Sequence, residues 1–492
     1  MTRKKLFMFV LCLLVVQISF AQQPGEISYK DISTLPEGIK GERIQSLIEA
    51  VNSSDPEVIS RFVNENFTKR FIDIAPMEEH VDIFMGIFDQ SGGVDFHSIR
   101  TYTPERKDQT VVIVKDRLLN SWRAFVLYFE QSPKSLIAGL QFTDARVPSD
   151  VTEEPLSEKE LVPAVQKIVQ ELKDKKIFSG AVLLAKGRDI LFTAAGGEAS
   201  KRFHVPNNIH TKFNLGSMNK MFTSLCIMKL VEEEKLSLND RLNKFLDESW
   251  LPEEVSSKIT IHHLLSHTSG LGSYFNQEYD RSSRALFRAL DDYKPLIRDD
   301  RPAFKPGERF QYSNTGMFLL GVVIEKVTGE DYFSYVRGNI YEPAGMINSD
   351  CYEMDYPVEN LAIGYSPDRK SPYGWQNNLY KHVIKGGPAG GGFSTVGDLH
   401  KFGVALLEGK LVSRESLEKM WTDYTGEGYG YGFTLRETAK GKVIGHSGGF
   451  SGINSNLDVF VDSGYIVAVM SNLDQGASPL ARKIRELISN IK

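Results

Sequence analysis

Cysteine is scarce in this chain, three in 492 residues, and Cys12 falls in an N-terminal segment that reads as removable. Cys226 and Cys351 make no disulfide framework, and packing of Cys226 within a buried helix is a simpler reading than a single bridge. Positive charge is not in excess. The 58 Lys and Arg stand against 63 Asp and Glu, a net of −5, which offers no basic footprint for nucleic acid. Spanning apolar runs are lacking too: the N-terminal run, Leu6 to Phe20, has 15 residues against the roughly 20 that a membrane helix needs. Arg3, Lys4 and Lys5 before it, and Ser19-Phe-Ala21 at its end, make residues 1–21 a signal peptide for secretion. This predicts export to a periplasmic or extracellular location, a net charge of −8 after cleavage, and no stable membrane insertion.

What the chain does have is length and apolar content. With 41% hydrophobic residues it is globular, and its length predicts two or three domains. Residues 146–163 are polar, acidic and interrupted by three prolines, which marks 148–157 as a linker between a small domain, 26–147, and a large one, 158–492. In the small domain Ile44, Leu47, Ile48 and Val51 mark one amphipathic helix. Ser54-Asp55-Pro56 starts a second, carrying Val58, Ile59, Phe62 and Val63. A third apolar stretch surrounds Ile83, Phe84, Ile87 and Phe88, and strand-like runs follow near 94–102, 110–114, 122–129 and 136–142. Helices followed by antiparallel strands predict an α+β unit. Its element order is similar to the cone-shaped nuclear-transport-factor-2 type, which implies a curved sheet around a pocket. No reactive constellation lies in it, so a structural, dimerising or ligand-docking role is expected.

The large domain opens with a helix over 158–174 and a hairpin of strands near 180–185 and 190–193. From 215 to about 410 the pattern is mostly helical, broken by Gly and Pro. Strands return at 429–436, 442–445, 454–461 and 465–471, and an amphipathic helix closes the chain over 477–491. The prediction is again α+β: a central antiparallel sheet built from both ends, helices flanking it, and an all-helical region inserted between.

Ser217 and Lys220 begin the helical region, at i and i+3 before Met221, Phe222, Leu225, Cys226, Ile227 and Met228. That spacing puts both side chains on one helix face. A lysine entering an apolar helix is partly desolvated, which makes its amine a usable base for an otherwise inert serine hydroxyl. Ser416…Lys419 and Ser489…Lys492 repeat the pattern in a charged helix and at the chain end, where no pocket is expected. The structural alternative for Ser217 and Lys220 is a capped core helix with a snorkelling lysine. Two further runs supply what a nucleophile and base still need. A Pro-Gly turn delivers Tyr312 and Asn314 just ahead of a second buried helix; the phenol suits proton relay, and the amide suits holding Lys220 and a substrate amide. His446-Ser447-Gly448-Gly449 ends a strand, where glycines signal close approach by a ligand or another backbone. The amides of Gly449 and Ser217 would then form an oxyanion hole, with Ser447 donating to a substrate carboxylate or carbonyl and His446 placed where a cation helps.

Ser-x-x-Lys, Tyr-x-Asn and His-Ser-Gly occur in this order about 90 and 130 residues apart. Together with Ile261-His-His-Leu-Leu-Ser-His-Thr-Ser-Gly-Leu271, Phe304-x-Pro-Gly-x-x-Phe-x-Tyr-Ser-Asn314 and Pro388-Ala-Gly-Gly-Gly-Phe-Ser-Thr-Val-Gly-Asp398, they make residues 158–492 resemble the serine penicillin-recognising hydrolases. The branch is that of class C β-lactamases, D,D-peptidases and related esterases. The resemblance implies a five-stranded antiparallel sheet between helices, an active site where the sheet meets the helical region, and acylation of Ser217 by an amide or ester followed by hydrolysis. Lys220 and Tyr312 would titrate as a coupled pair, and the sequence leaves open which of them takes the serine proton; Lys220 is assigned as acylation base and Tyr312 as proton relay, and no cofactor and no metal are expected. Class C β-lactamases commonly carry lysine at the position of His446, so this chain departs from them. A histidine titrating near pH 6.5 predicts a peptidase or esterase rather than an efficient antibiotic hydrolase, with a terminal carboxylate bound better in mild acid. The substrate is then a small molecule or peptide; a class C-type β-lactamase and a non-catalytic penicillin-binding receptor or scaffold are the alternatives. His263 and His267, at i and i+4, raise a zinc reading, but no Glu stands between them as a metalloprotease helix requires.

Overall fold

The computed structural model describes residues 28–104, 109–368 and 370–492; the predicted signal, residues 1–21, lies outside them. The chain divides into two compact units that change over between Leu156 and Ser157.

The first unit runs β1 (Ser28–Ile32), α1 (Ile39–Ser53), α2 (Pro56–Asn66), α3 (Met77–Ser91), β2 (Val94–Thr103), β3 (Thr110–Asp116), β4 (Trp122–Phe129) and β5 (Ile137–Asp144). Its sheet is antiparallel in the order β1-β2-β3-β4-β5. The predicted helices and the last four strands are present. β1, Ser-Tyr-Lys-Asp-Ile, was not read because no residue in it is buried. Asp55 caps α2, accepting from Glu57 N at 2.8 Å. The helices bury Ile44, Leu47, Ile59, Phe62, Phe84 and Ile87 against Val112, Val114, Phe125 and Leu127. On the other face Ala145, Val147 and Val151 cover Val111, Ile113, Trp122 and Ala124, and Ser149 N donates to Asp31 Oδ2 at 2.7 Å. The stretch with a linker's composition thus begins as a cover for this sheet, whose second apolar face needs one.

The second unit runs α4 (Glu158–Asp174), β6 (Gly180–Lys186), β7 (Asp189–Gly196), α5 (Asn219–Glu232), α6 (Ile261–Leu265), α7 (Asn314–Thr328), α8 (Val396–Leu407), β8 (Thr434–Thr438), β9 (Gly441–Phe450), β10 (Ile453–Phe460), β11 (Tyr465–Ser471) and α9 (Ser478–Ser489), with short turns and bridges between. A capping box starts α4, Ser157 N donating to Glu160 Oε2 at 2.8 Å. Leu161, Val165, Val169 and Leu172 form its buried stripe. The sheet has six strands, ordered β8-β9-β10-β11-β6-β7, one more than the resemblance implies and as many as the strand-like runs read in the sequence, with β7 and the short β8 at its two edges. α4 and α9 pack on the sheet, as does α8. β10 and β11 are buried at every position, which explains why they show no alternation.

One register detail places the site. β8 pairs with β9 only from Gly441 to Gly445, whereas β10 continues along β9 to Phe450. Residues 446–450 therefore keep one strand edge unpaired by β8, and the turn Gly216–Met218 before α5 packs against this stretch of strand.

Candidate active site

A single 3₁₀ turn, Gly216–Met218, carries half-buried Ser217 to the start of α5. Gly216 has a φ of +50°, and a β carbon built there would lie 2.9 Å from both Gly448 Cα and Gly449 N. Only glycine permits that approach. A β carbon on Gly448 would meet Leu215 O at 1.9 Å, whereas on Gly449 it would find nothing within 4 Å. The two glycines therefore do different work: Gly448 admits the neighbouring main chain, and Gly449 leaves space beside its own peptide. The turn residue before Ser217 is thus packed directly against the Gly449 peptide nitrogen.

Lys220 is completely buried beneath this turn. Its Nζ donates to Asn314 Oδ1 at 2.9 Å and to Ala389 O at 2.5 Å, and lies 4.8 Å from the centroid of the Tyr312 ring. Asn314 is held in turn, its Nδ2 donating to Ser273 Oγ at 3.2 Å. The Pro388-Ala-Gly-Gly-Gly run is a bracket around α5: Asn219 Nδ2 donates to Gly387 O at 3.1 Å, Gly392 N to Asn219 Oδ1 at 3.2 Å, and Thr223 Oγ1 to Pro388 O at 2.8 Å. Two side chains of α5, Asn219 and Thr223, thus fix through three hydrogen bonds the segment whose carbonyl holds Lys220. Sequence reading missed Ala389, because a main-chain acceptor has no residue signature.

Tyr312 stands between Lys220 and an aromatic wall of His267, Tyr429 and His446, with ring centroids at 4.5, 6.2 and 6.4 Å. Tyr429 was read only as part of a strand. It lies before β8, where the turn through Gly432 folds it back onto the site. Its hydroxyl lies 3.0 Å from His446 Nε2, while His446 Nδ1 lies 2.5 Å from Ser447 O. A carbonyl only accepts, so Nδ1 carries the proton and Nε2 accepts from Tyr429.

This corrects the titrating cation expected at 446. Burial, reinforced by the Lys220 charge and opposed by the Ser447 carbonyl, brings the His446 pKa down to about 3, so the ring is neutral near neutral pH. A neutral ester and a carboxylate-bearing amide are accordingly expected to give the same pH–activity profile between about pH 5 and 8. A separate acid effect on stability follows. With a folded pKa below the unfolded 6.5, His446 takes a proton only when the chain opens, so its contribution is full above about pH 6.5 and is lost as pH falls toward 3. Thermal unfolding followed from pH 7.5 down to 4.5 should show a falling midpoint, less steep in His446→Gln.

The zinc geometry is not built. α6 ends at Leu265 and His267 has a φ of +56°, so the i,i+4 face stops short of it. His263 Nδ1 accepts from Thr260 N at 3.2 Å as part of its own helix cap, and His267 Nδ1 accepts from Ser313 N at 3.1 Å.

Ser217 with Lys220, Tyr312 with Asn314, and the 446–449 strand therefore converge from three separate segments. The arrangement pairs a serine with a buried amine, a phenol and main-chain donors, the groups that acyl transfer requires. The Beta-lactamase family profile matches residues 165–489. Penicillin-binding protein 4* of Bacillus subtilis is 30% identical over 328 residues, 63% of this chain and 72% of that protein. The crystal structure of a penicillin-binding protein from Bacillus halodurans superposes with a TM-score of 0.60 at 32% identity, covering 66% of this chain and 98% of that one. A D-stereospecific amidohydrolase from Streptomyces sp. superposes with a TM-score of 0.54 at 27% identity, covering 64% and 96%. With the family profile spanning residues 165–489 of the second unit that carries these residues, this chain belongs to the Beta-lactamase family and is a serine hydrolase of the β-lactamase and penicillin-binding-protein type.

Proposed function

We propose that this chain acylates Ser217 with an amide or ester and hydrolyses the acyl-enzyme. Lys220 takes the serine proton, Tyr312 passes a proton to the leaving group, and the amides of Ser217 and Gly449 hold the oxyanion. Substrates are D-amino-acid amides, short D-peptides or simple esters, and the protein works outside the cytoplasm after export. The observation that carries this reading is the Lys220 amine, buried three residues from the serine and held by Asn314, Ala389 and the Tyr312 ring. The neutral His446 argues against an efficient β-lactamase, since no fixed cation stands there for an antibiotic carboxylate. The similarity to a D-stereospecific amidohydrolase favours D-configured substrates.

Intact-mass analysis after exposure to esters, penicillins and D-Ala-D-Ala peptides tests it. A transient acyl increment is expected from esters or peptides and a long-lived one from penicillins. Folded protein that forms no adduct with any of them would overturn the reading; rapid turnover of penicillins alone would overturn its substrate half.

The cleft also has a direction. Tyr312 and His446 mark the leaving-group side, so the acyl side runs toward Phe450, next to Gly449. There the Phe450 ring stacks on Phe275, 5.8 Å between centroids, and Phe275 is 42% exposed. Aromatic acyl groups should bind there. Phe275→Ala is expected to lower kcat/KM for a phenylacetyl ester about 3- to 10-fold relative to the acetyl ester, the loss of one aromatic contact; an unchanged ratio would place the acyl group elsewhere.

A further inference from the structure

The residue that holds Tyr312 is His267. Just past α6 it adopts a φ of +56°, a left-handed conformation uncommon for a side chain with a β carbon. Its carbonyl accepts the N–H of Gln311 at 2.8 Å, and its Nδ1 accepts the N–H of Ser313 at 3.1 Å. The residues on both sides of Tyr312 therefore hang on His267. The imidazole also lies against the phenol, centroids 4.5 Å apart at 40°, and packs on Tyr429 at 4.7 Å and Phe310 at 5.7 Å.

The surrounding segment is built the same way. Ala303 N donates to Gly270 O at 2.9 Å, Gly307 N to Thr268 O at 2.8 Å, and Ser313 Oγ to Gly272 O at 2.9 Å. The Ser266-His-Thr-Ser-Gly-Leu-Gly272 run is thus a rail along which the loop carrying Tyr312 and Asn314 is laid.

A space-filling residue would serve better at 267 if packing were all. Among the described residues the buried His267 Nε2 has no hydrogen-bond partner, and the backbone is strained, two costs that phenylalanine or leucine on an ordinary backbone would avoid. With Nδ1 accepting, the proton sits on Nε2 and the ring is the neutral tautomer. What the histidine supplies in return is an acceptor aimed at the peptide after Tyr312.

We propose that His267 is a positioning residue for Tyr312, fixing the phenol beside Lys220 so that its proton reaches the leaving group from a preset geometry. This rests on the acyl-enzyme reading above and deepens it.

The test is kcat per active serine, with the serine counted by a fluorophosphonate so that loss of folded protein does not enter. His267→Phe keeps a ring but lacks the acceptor; kcat for an ester should fall ~10²-fold, as a misplaced catalytic group costs, with KM within about twofold. His267→Asn keeps an acceptor and tolerates a positive φ, so it should recover at least half of that loss on a logarithmic scale. Combining His267→Phe with Tyr312→Phe should cost no more than Tyr312→Phe alone, since both act through one phenol. Unchanged kcat per serine in His267→Phe, or losses that multiply in the double variant, would overturn the proposal. Should His267→Phe fail to fold, the cycle of His267→Asn with Tyr312→Phe decides the same question. A parent protein that forms no acyl-enzyme would defeat the functional reading itself, and is seen before any variant is made.

Discussion

Replacing Ser217 with alanine is expected to abolish acylation and turnover, and Lys220→Met is expected to lower kcat/KM by ~10²–10⁴-fold, the range for a positioned general base. The double variant should be no slower than Ser217→Ala, because nucleophile and base act in one step. Stability separates the two single changes. Ser217 is half-buried at the end of a turn, and its loss should leave the thermal midpoint near that of the parent. Lys220 is completely buried and donates to Asn314 Oδ1 and Ala389 O. A methionine fills similar space but strands both acceptors, at about 1–3 kcal/mol for each buried polar group left unpaired. Lys220→Met should therefore unfold at a clearly lower temperature. Ester hydrolysis normalised to folded protein, together with thermal unfolding, checks both halves. Lys220→Met turnover within tenfold of the parent would remove Lys220 from the mechanism.

Gly448→Ala is expected to cost ~10²–10³-fold in kcat, the effect of losing one oxyanion donor, while Gly449→Ala next door should fold and unfold like the parent. The added carbon at 448 would lie 1.9 Å from Leu215 O and 2.7 Å from Leu215 C. Those are main-chain atoms and cannot swing aside, so β9 and the Ser217 turn must separate, with an overpacking cost of about 1–3 kcal/mol. At 449 the carbon meets nothing within 4 Å. Its effect should appear only as steric exclusion of bulky substrates from the space above the peptide. Kinetics with an acetyl and a phenylacetyl ester on both variants, alongside thermal unfolding, distinguishes these outcomes. The reverse ranking, Gly449→Ala unstable and Gly448→Ala normal, would contradict the packing of strand against turn.

Part of this site was legible in the chain because its chemistry requires particular residue types at particular spacings. Ser217 and Lys220 stand three residues apart, the serine on the 3₁₀ turn and the lysine on the first turn of α5, and the apolar residues after them already implied that the amine would be buried. Tyr312 with Asn314, ahead of an apolar helix, carried a similar local signal. The strands of the second unit were legible as apolar runs, although the run starting at 429 was placed too early. There Gly432, with a φ of +77°, reverses the chain, so β8 starts at Thr434 and Tyr429 is turned onto His446 instead of continuing a strand.

Other features had no local signal. The sequence alone determined that a serine stands three residues before a lysine at the start of an apolar helix, that a glycine pair ends a strand, and that an α+β sheet is assembled from both ends of the second unit. Only the tertiary structure decided that the lysine is held by the carbonyl of Ala389, 169 residues away. It alone decided that Gly448 receives main chain while Gly449 faces open space, and that His446 is a neutral acceptor rather than a cation. The reason is physical. Spacing and hydropathy report which residues are near each other along one element, whereas charge state and access depend on burial and on hydrogen-bond partners that arrive from distant segments.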